Sequence, residues 1–241
     1  FVFPVITVGC AFMRKPPLTE QLSISDAEKI VSGIRGQNDN IMSFFSLGTV
    51  SIKGLVLGSD ADILIAGVKN PFALKLEITH SWGKPLIYIM IMEGRLNIIN
   101  YQERLRYSGT FSPETLSKFM PGIDLDQEML WSILSGRPPI APHDFLTTAG
   151  GGVIRLISEN EIEMEEINLP PGASFPNKMS FPDKALEVYF SSIQEESGIT
   201  YAEDIRLSGK GLEKDLFLKI NRISFNAAVP DQIFRLNMPS D

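Results

Sequence analysis

Residues 74–92 read LKLEITHSWGKPLIYIMIM, and this stretch decides the fold class. Leu74, Leu76 and Ile78 alternate with polar residues, which is the pattern of a strand with one dry and one wet face. The run 86–92 is apolar on both faces. The two segments lie too close in sequence for a helical crossover, so they predict an antiparallel hairpin.

Further strand signals occur on both sides of this hairpin, and closely spaced strands predict an antiparallel meander. They lie at 42–54, 60–69, 95–101, 104–109, 152–158, 161–169, 184–190, 201–208, 215–225 and 232–236, with an irregular connection at 170–182. No polar linker divides them. The sequence therefore predicts one mainly β domain over 25–241.

Helix signals interrupt the strands. Ser112 and Pro113 are typical of a helix start, Asp124 and Asp126 cap a second helix, and Gly136 ends it. Two short helices flanked by sheet predict a lid at about 113–135. An earlier helix begins at the Ser25 capping box and is expected to end near the glycines at 33 and 36.

Composition and motifs exclude several kinds of chemistry. The 22 basic and 29 acidic residues give a net charge of −7, which disfavours a nucleic-acid partner. The sequence holds one cysteine and two histidines, so a disulfide or a Cys-rich zinc site is excluded and a His-rich metal site is disfavoured. Phosphate-binding, nucleophile-elbow and metalloprotease motifs are missing from the sequence. We expect no enzymatic activity, no cofactor and no metal. The acidic segment with Glu161, Glu163, Glu165 and Glu166 is expected to be a solvated strand edge.

The first residues differ from the rest of the chain. Residues 1–9 are uncharged and resemble the remnant of a secretory signal peptide, too short to cross a bilayer. Val8, Gly9 and Cys10 resemble the end of a lipobox, which predicts acylation of Cys10. Residues 10–24 then form a lipidated N-terminus and tether. A buried N-terminal strand with an incidental thiol is the alternative.

The order of these features is informative. A lipobox-like start, the turn at 78–86, two short helices, ILSGRPP at 133–139 and NAAVPDQIFRL at 226–236 together resemble the LolB-like outer-membrane lipoproteins of the LolA/LolB superfamily. The resemblance implies an incomplete antiparallel β-barrel covered by helices. It implies a function as well: an outer-membrane lipoprotein that binds the acyl chains of lipoproteins in an apolar cavity and helps to insert them into that membrane.

The same resemblance implies partners and a location. The chain would receive lipoprotein acyl chains from a periplasmic lipoprotein carrier and would be anchored, as a monomer, to the periplasmic face of the bacterial outer membrane. A carrier of another lipid or amphiphile, or a structural envelope lipoprotein without ligand, remains an alternative.

Candidate cavity residues come from the apolar strands and the lid. An acyl chain gains about 0.8 kcal/mol per buried CH₂, and methionine makes an adaptable lining. The candidates are Leu76, Ile89, Met90, Ile91, Met92, Leu116, Phe119, Met120, Met129, Leu130, Ile133 and Leu134. Each is alternatively a plain core residue.

The tight turn that contains Trp82 and Gly83 is the candidate membrane-insertion loop. In the LolB-like family this turn presents an exposed apolar residue for delivery to the membrane, and Trp82 occupies the matching place. Tryptophan partitions well into bilayer interfaces. The alternative is that Trp82 folds back onto the sheet edge.

Overall fold

A computed structural model describes residues 22–52, 60–119, 124–209 and 215–234. The helices are α1 (Ile24–Asp39), α2 (Pro113–Ser117) and α3 (Gln127–Leu134). The strands are β1 (Ser43–Ile52), β2 (Ala61–Val68), β3 (Ala73–Thr79), β4 (Pro85–Met92), β5 (Arg95–Asn100), β6 (Leu105–Thr110), β7 (Phe145–Ala149), β8 (Val153–Ile157), β9 (Glu163–Asn168), β10 (Lys178–Phe181), β11 (Leu186–Glu196), β12 (Ile199–Gly209) and β13 (Leu216–Phe225). Within the described ranges, no helix is long and apolar enough to span a bilayer.

The strands form a single antiparallel sheet in the order β6-β5-β4-β3-β2-β1-β13-β12-β11-β10-β9-β8-β7. β1 pairs with β13, with Phe44 opposite Phe225, and this pairing joins two meanders. The sheet is open because its two edge strands, β6 and β7, do not pair with each other. The prediction of a mainly β, open antiparallel sheet with short helices is confirmed.

The core lies on one face of the sheet, under the lid, which we define as α2 and α3. Side chains alternate along each strand, so β4 presents Ile89 and Ile91 to this inner face. Trp131 of α3 packs on Phe44 of β1 at 4.9 Å between ring centroids and on Phe72 at 5.8 Å. α3 thus lies against the middle of the sheet.

The outer face carries a second, smaller apolar cluster. Tyr88, Met90 and Ile99 are buried there, and Phe234 packs against them. Phe234 belongs to a 3-10 helical turn, Asp231–Phe234, in a segment where the sequence predicted a strand. The turn docks its side chains on the face of the sheet, where no strand edge offers backbone hydrogen bonds, and this corrects the prediction.

Helix α1 is longer than predicted. It begins after Ser23, whose side chain accepts a hydrogen bond from the backbone N–H of Asp26 at 3.1 Å. It continues past Gly33 and Gly36 because its apolar stripe, which includes the buried Val31, stays in contact with the core. Packing of this face outweighs the low helix propensity of glycine.

The pattern of apolar residues in the sequence did not predict two of the strands. β7 is short, and β10 has four residues inside the proline-containing connection predicted as irregular. β10 pairs with β9 on one side and β11 on the other. A short strand held on both sides needs little intrinsic preference for the extended state.

Candidate functional site

Helix α3 separates two hollows. On the sheet side is a cavity of about 60 Å³, which we call the interior cavity. Beside it, around Trp131, lies a groove of about 690 Å³ that is lined by residues of α3 and of the sheet, and we call it the side groove. Leu130, Ile133 and Leu134 line the cavity, while Met129, Trp131 and Ser132 line the groove. The helix is therefore a wall shared by both.

Among the described residues, aliphatic side chains alone form the lining of the interior cavity. They are Val50, Ile63, Leu74, Leu76, Ile78, Ile89, Ile91, Leu116, Leu125, Leu130, Ile133, Leu134, Leu207, Leu216 and Leu218. Ligand pockets of drug-sized molecules usually measure about 300–1,000 Å³, so this space is too small for an acyl chain in the present position of α3. The lid must move for a chain to enter.

Most of the predicted cavity residues line this cavity. Leu76, Ile89, Ile91, Leu116, Leu130, Ile133 and Leu134 do so, while Met129 lines the side groove. Phe119 packs against Tyr107 at 4.8 Å between ring centroids. Met120 and Cys10 lie outside the described residues.

Two of the predicted cavity residues are on the wrong face. Met90 belongs to the outer cluster, and Met92 is 37% exposed. Consecutive residues of a strand point to opposite faces, so Ile89 and Ile91 cannot share a cavity with them. The apolar run of β4 looked uniform because its outer face is also covered, and none of the described methionines lines the interior cavity.

Trp82 lies at the tip of the hairpin between β3 and β4 and is 70% exposed. Its ring stacks on His80 at 4.1 Å, and the next residue, Gly83, has a positive φ of 83° that the tight turn requires. Ile78 and Val50, which line the cavity, are near the strand ends on this same side of the sheet. The interior cavity thus extends along β3, from Leu74 to Ile78, toward the hairpin that carries the exposed indole.

The C-terminal end of α3 is fixed to its surroundings. Gly136 accepts a hydrogen bond from the backbone N–H of Ala202 at 2.8 Å. Arg137, fully buried, donates to Asn38 Oδ1 at 2.9 Å and to the carbonyl oxygens of Ile34 and Thr200. Burial lowers the pKa of its guanidinium to about 10. These bonds join α3 to α1 and β12.

The side groove has an apolar floor and a charged rim. Its floor includes Phe72, Ile140, Met164 and Phe181. Trp131 is 4% exposed, and its indole Nε1 has no hydrogen-bond partner among the described residues. Charged side chains line the rim: Arg35, Asp39, Lys69, Asp126, Glu128, Asp183 and Lys184.

Glu165 of β9 is completely buried, which corrects the expectation of a solvated acidic edge. Its Oε2 accepts a hydrogen bond from the backbone N–H of Ala141 at 2.7 Å, and its Oε1 has no partner in the described structure. Burial raises the pKa of this carboxyl to about 8, although the charge of Arg35 opposes the shift. Glu165 alternates with partly buried positions and shares its face with Ile167, and its hydrogen bond to Ala141 holds the segment that follows α3.

Three residues of this region had no signal in the sequence reading: Trp131, Arg137 and Glu165. Trp131 directly follows the cavity-lining Leu130, and one residue turns about 100° around a helix, so helical periodicity places its ring away from Leu130 once α3 is recognised. The partners of Arg137 and Glu165 are distant in sequence, so no local pattern reveals them.

No protein-family model and no curated protein sequence matches the chain. Similar solved structures include a DUF1329 family protein from Desulfovibrio piger (10% identity, 88% of this chain and 97% of the other, TM-score 0.53). A protein from Vibrio parahaemolyticus described as an outer membrane lipoprotein-sorting protein domain is similar too (8% identity, 87% and 96%, TM-score 0.51). A LolA superfamily protein from Nitrosomonas europaea aligns over 85% of this chain and 97% of its own (10% identity, TM-score 0.48). At these identities the likeness is one of fold: the open antiparallel sheet with short helices is shared with proteins of lipoprotein sorting and the DUF1329 family.

Proposed function

We propose that this protein binds the acyl chains of lipoproteins or other lipids between its lid and its sheet. The observation that carries the proposal is the interior cavity: its described lining consists of fifteen aliphatic side chains and no polar one, and α2 and α3 cover it. Such a lining offers an acyl chain transfer free energy of about 0.8 kcal/mol per CH₂ and offers nothing to a polar substrate. We therefore propose a carrier or receptor and not an enzyme.

Entry of a chain requires the lid to move, and the fixed end of α3 determines how. Gly136 and Arg137 hold the C-terminal end to β12 and α1, so we propose that α3 swings about this end. Its N-terminal half, with Met129 and Leu130, would then separate from the sheet. The interior cavity would merge with the side groove, whose volume of about 690 Å³ falls in the range of ligand pockets.

The finer proposal is delivery to the bacterial outer membrane, as the LolB-like resemblance implies. Trp82 supports it because a 70% exposed indole at a hairpin tip has the chemistry of a membrane-interface anchor. Lipidation at Cys10, transfer from a periplasmic carrier and a monomeric state belong to the same proposal. A similar fold in a domain described as lipoprotein-sorting supports an envelope location.

A second candidate function has one observation in its favour. The interior cavity measures only about 60 Å³, which is what a structural envelope protein filled by its own side chains would show. The two candidates differ in whether the space between α3 and the sheet can open. A carrier of a different lipid is distinguished from both by the chemistry of the bound chain.

Mass spectrometry of co-purified lipids tests the proposal. The chain is produced with Cys10→Ser, so that its own acylation cannot contribute. We expect bound acyl chains, and we expect Val50→Phe, which fills one end of the cavity, to reduce their amount. Leu47→Phe is the matched control because Leu47 of the same strand is 39% exposed. A protein that carries no acyl chain and takes up none from micelles would be the structural protein of the second candidate.

A further inference from the structure

The indole N–H of Trp131 is an unusual hydrogen-bond donor, on the helix that separates the interior cavity from the side groove. A corner of its six-membered ring, Cζ3, lies over Gly67 of β2, and the ring contacts Phe44 and Phe72. In an indole, Nε1 is on the opposite edge from Cζ3. This N–H is buried and has no hydrogen-bond partner in the described part of the chain, and the side chain lines the side groove. Buried donors are nearly always paired, so an acceptor is expected here.

The acceptor side chains that line the groove, such as Asp126, Glu128 and Ser132, do not bond this N–H, so a ligand can supply the acceptor. The lining also contains the apolar side chains of Phe72, Met129 and Ile140, and Phe72 contacts the indole. A ligand seated there would be mostly apolar and would carry one hydrogen-bond acceptor. This is the composition of the first part of an acyl group, a carbonyl followed by methylenes.

The charges on the rim of the groove indicate whether the bound carbonyl belongs to a neutral ester or amide or to a charged carboxylate. Three cationic and four acidic side chains line the groove. Two of the cations have an acid close by, Lys69 at 3.6 Å from Asp39 and Lys184 at 3.6 Å from Asp183. An anion therefore gains little attraction from the rim. A neutral ester or amide carbonyl fits better than a free carboxylate.

We propose that, once the swing of α3 uncovers the buried Trp131 Nε1, the side groove binds the carbonyl linkage of an acylated ligand, an ester or an amide, whose oxygen accepts a hydrogen bond from this atom. The inference rests on the proposed function and deepens it, since it divides the ligand between two compartments. Leu130 and Trp131 are neighbours on α3 but face the cavity and the groove, respectively. The methylene chain enters the interior cavity past the displaced N-terminal half of α3, and the carbonyl remains on the groove side.

Binding of three probes with the same chain length tests the proposal. The probes are methyl laurate, an N-lauroyl amide and dodecane. Displacement of an environment-sensitive dye measures their binding. Trp131→Phe keeps a ring between Phe44 and Phe72 but removes the N–H. Because this variant loses one hydrogen bond, we expect it to bind the ester, the amide or both about 2- to 10-fold more weakly than the unaltered protein does. Its affinity for dodecane should be unchanged. A preference for ester or amide identifies the source as a lipid or an N-acylated chain.

Equal weakening of dodecane, or no weakening of either carbonyl probe, would overturn the assignment of Trp131. Those results leave the proposed function intact because the probes still bind. If the unaltered protein binds none of the three, the proposed function fails and the inference falls with it.

Fluorescence gives a second measurement that retains Trp131. The chain has two tryptophans, so Trp82→Phe leaves Trp131 as the sole indole emitter. Bromine on the carbon next to the carbonyl of methyl laurate should quench this emission at least twofold more than bromine on the terminal carbon. Equal quenching, or stronger quenching from the terminal carbon, would contradict the placement of the carbonyl beside Trp131.

Discussion

Gly67 of β2 and Trp131 of α3 are in contact because Gly67 has no side chain. A Cβ at position 67 would lie 2.7 Å from Cζ3 of Trp131 and 2.6 Å from Cε1 of Phe44. Both distances are shorter than a van der Waals contact between carbon atoms, so the indole packs directly on the backbone of Gly67. The seat of α3 on the sheet, and hence the division between cavity and groove, depends on this one position.

Gly67→Ala is expected to destabilise the protein and displace the lid. The added methyl group forces Trp131 or Phe44 out of its place, and such overpacking costs about 1 to 3 kcal/mol in the free energy of unfolding. Urea denaturation measures the change. Gly33→Ala is the control: a Cβ there meets nothing within 4 Å, and alanine in a helix should raise stability by up to about 1 kcal/mol. A stable Gly67→Ala protein with unchanged Trp131 emission would show that α3 does not depend on this contact.

Arg137→Lys is expected to loosen the fixed end of α3. Lysine cannot match the three directions in which the guanidinium donates, to Asn38, Ile34 and Thr200, so buried carbonyl oxygens lose their donors. We expect a loss of about 1 to 3 kcal/mol in the free energy of unfolding. Faster amide hydrogen exchange at Ala202, whose N–H bonds to Gly136, would report the loosened end. Arg35→Lys, at an exposed site, should change stability by less than about 0.5 kcal/mol.

Local patterns predicted the strands of the meander but not the pairing that joins its two halves. Alternation in β3 and the short connections were enough for the strands from β2 to β6, and capping residues were enough for the lid helices. The β1–β13 pair, with Phe44 opposite Phe225, joins the two ends of the described chain, and no local pattern encodes that register. Met90 was assigned to the wrong face because Phe234 covers the outer side of β4 from a segment far along the chain.

The candidate site, like the fold, was predictable from the sequence only in part. Helical spacing placed Leu130, Ile133 and Leu134 together, since residues three and four apart share a face. Arg137 and Glu165 could not be identified, because burial of a charged residue depends on the whole fold. Their sequence neighbours resemble those of any surface arginine or glutamate.

Glu165→Gln is expected to flatten the pH dependence of stability. The carboxyl has a pKa of about 8 in the folded protein against 4.5 when solvated. Between these values the folded state holds the proton and the unfolded state does not, so stability falls as pH rises from about 4.5 to 8. Glutamine keeps an oxygen for the Ala141 N–H, cannot ionise and removes this fall.

Thermal melting at pH 5 and pH 8 measures the difference for Glu165→Gln. The unaltered protein should lose several degrees at pH 8 relative to the glutamine variant, because about 1 kcal/mol corresponds to a few degrees in a domain of this size. His143, whose Nδ1 lies 3.0 Å from the Ala141 carbonyl oxygen, is present in both proteins. Glu163→Gln, at a partly exposed position paired with Arg155, should leave the fall in place. Identical pH profiles for Glu165→Gln and the unaltered protein would mean that Glu165 ionises normally in the folded state.

Trp82→Glu separates ligand binding from delivery. The indole is 70% exposed and contacts His80, so its replacement should leave the fold and acyl-chain loading unchanged. A carboxylate at the hairpin tip is disfavoured in the headgroup region that an indole prefers, so transfer of the chain to liposomes should slow at least several-fold. Met92→Glu adds the same charge at another exposed position, 37% exposed on the outer face, and should transfer chains at the normal rate. If Trp82→Glu and Met92→Glu deliver chains equally fast, the hairpin tip does not enter the membrane and delivery must use another surface of the protein.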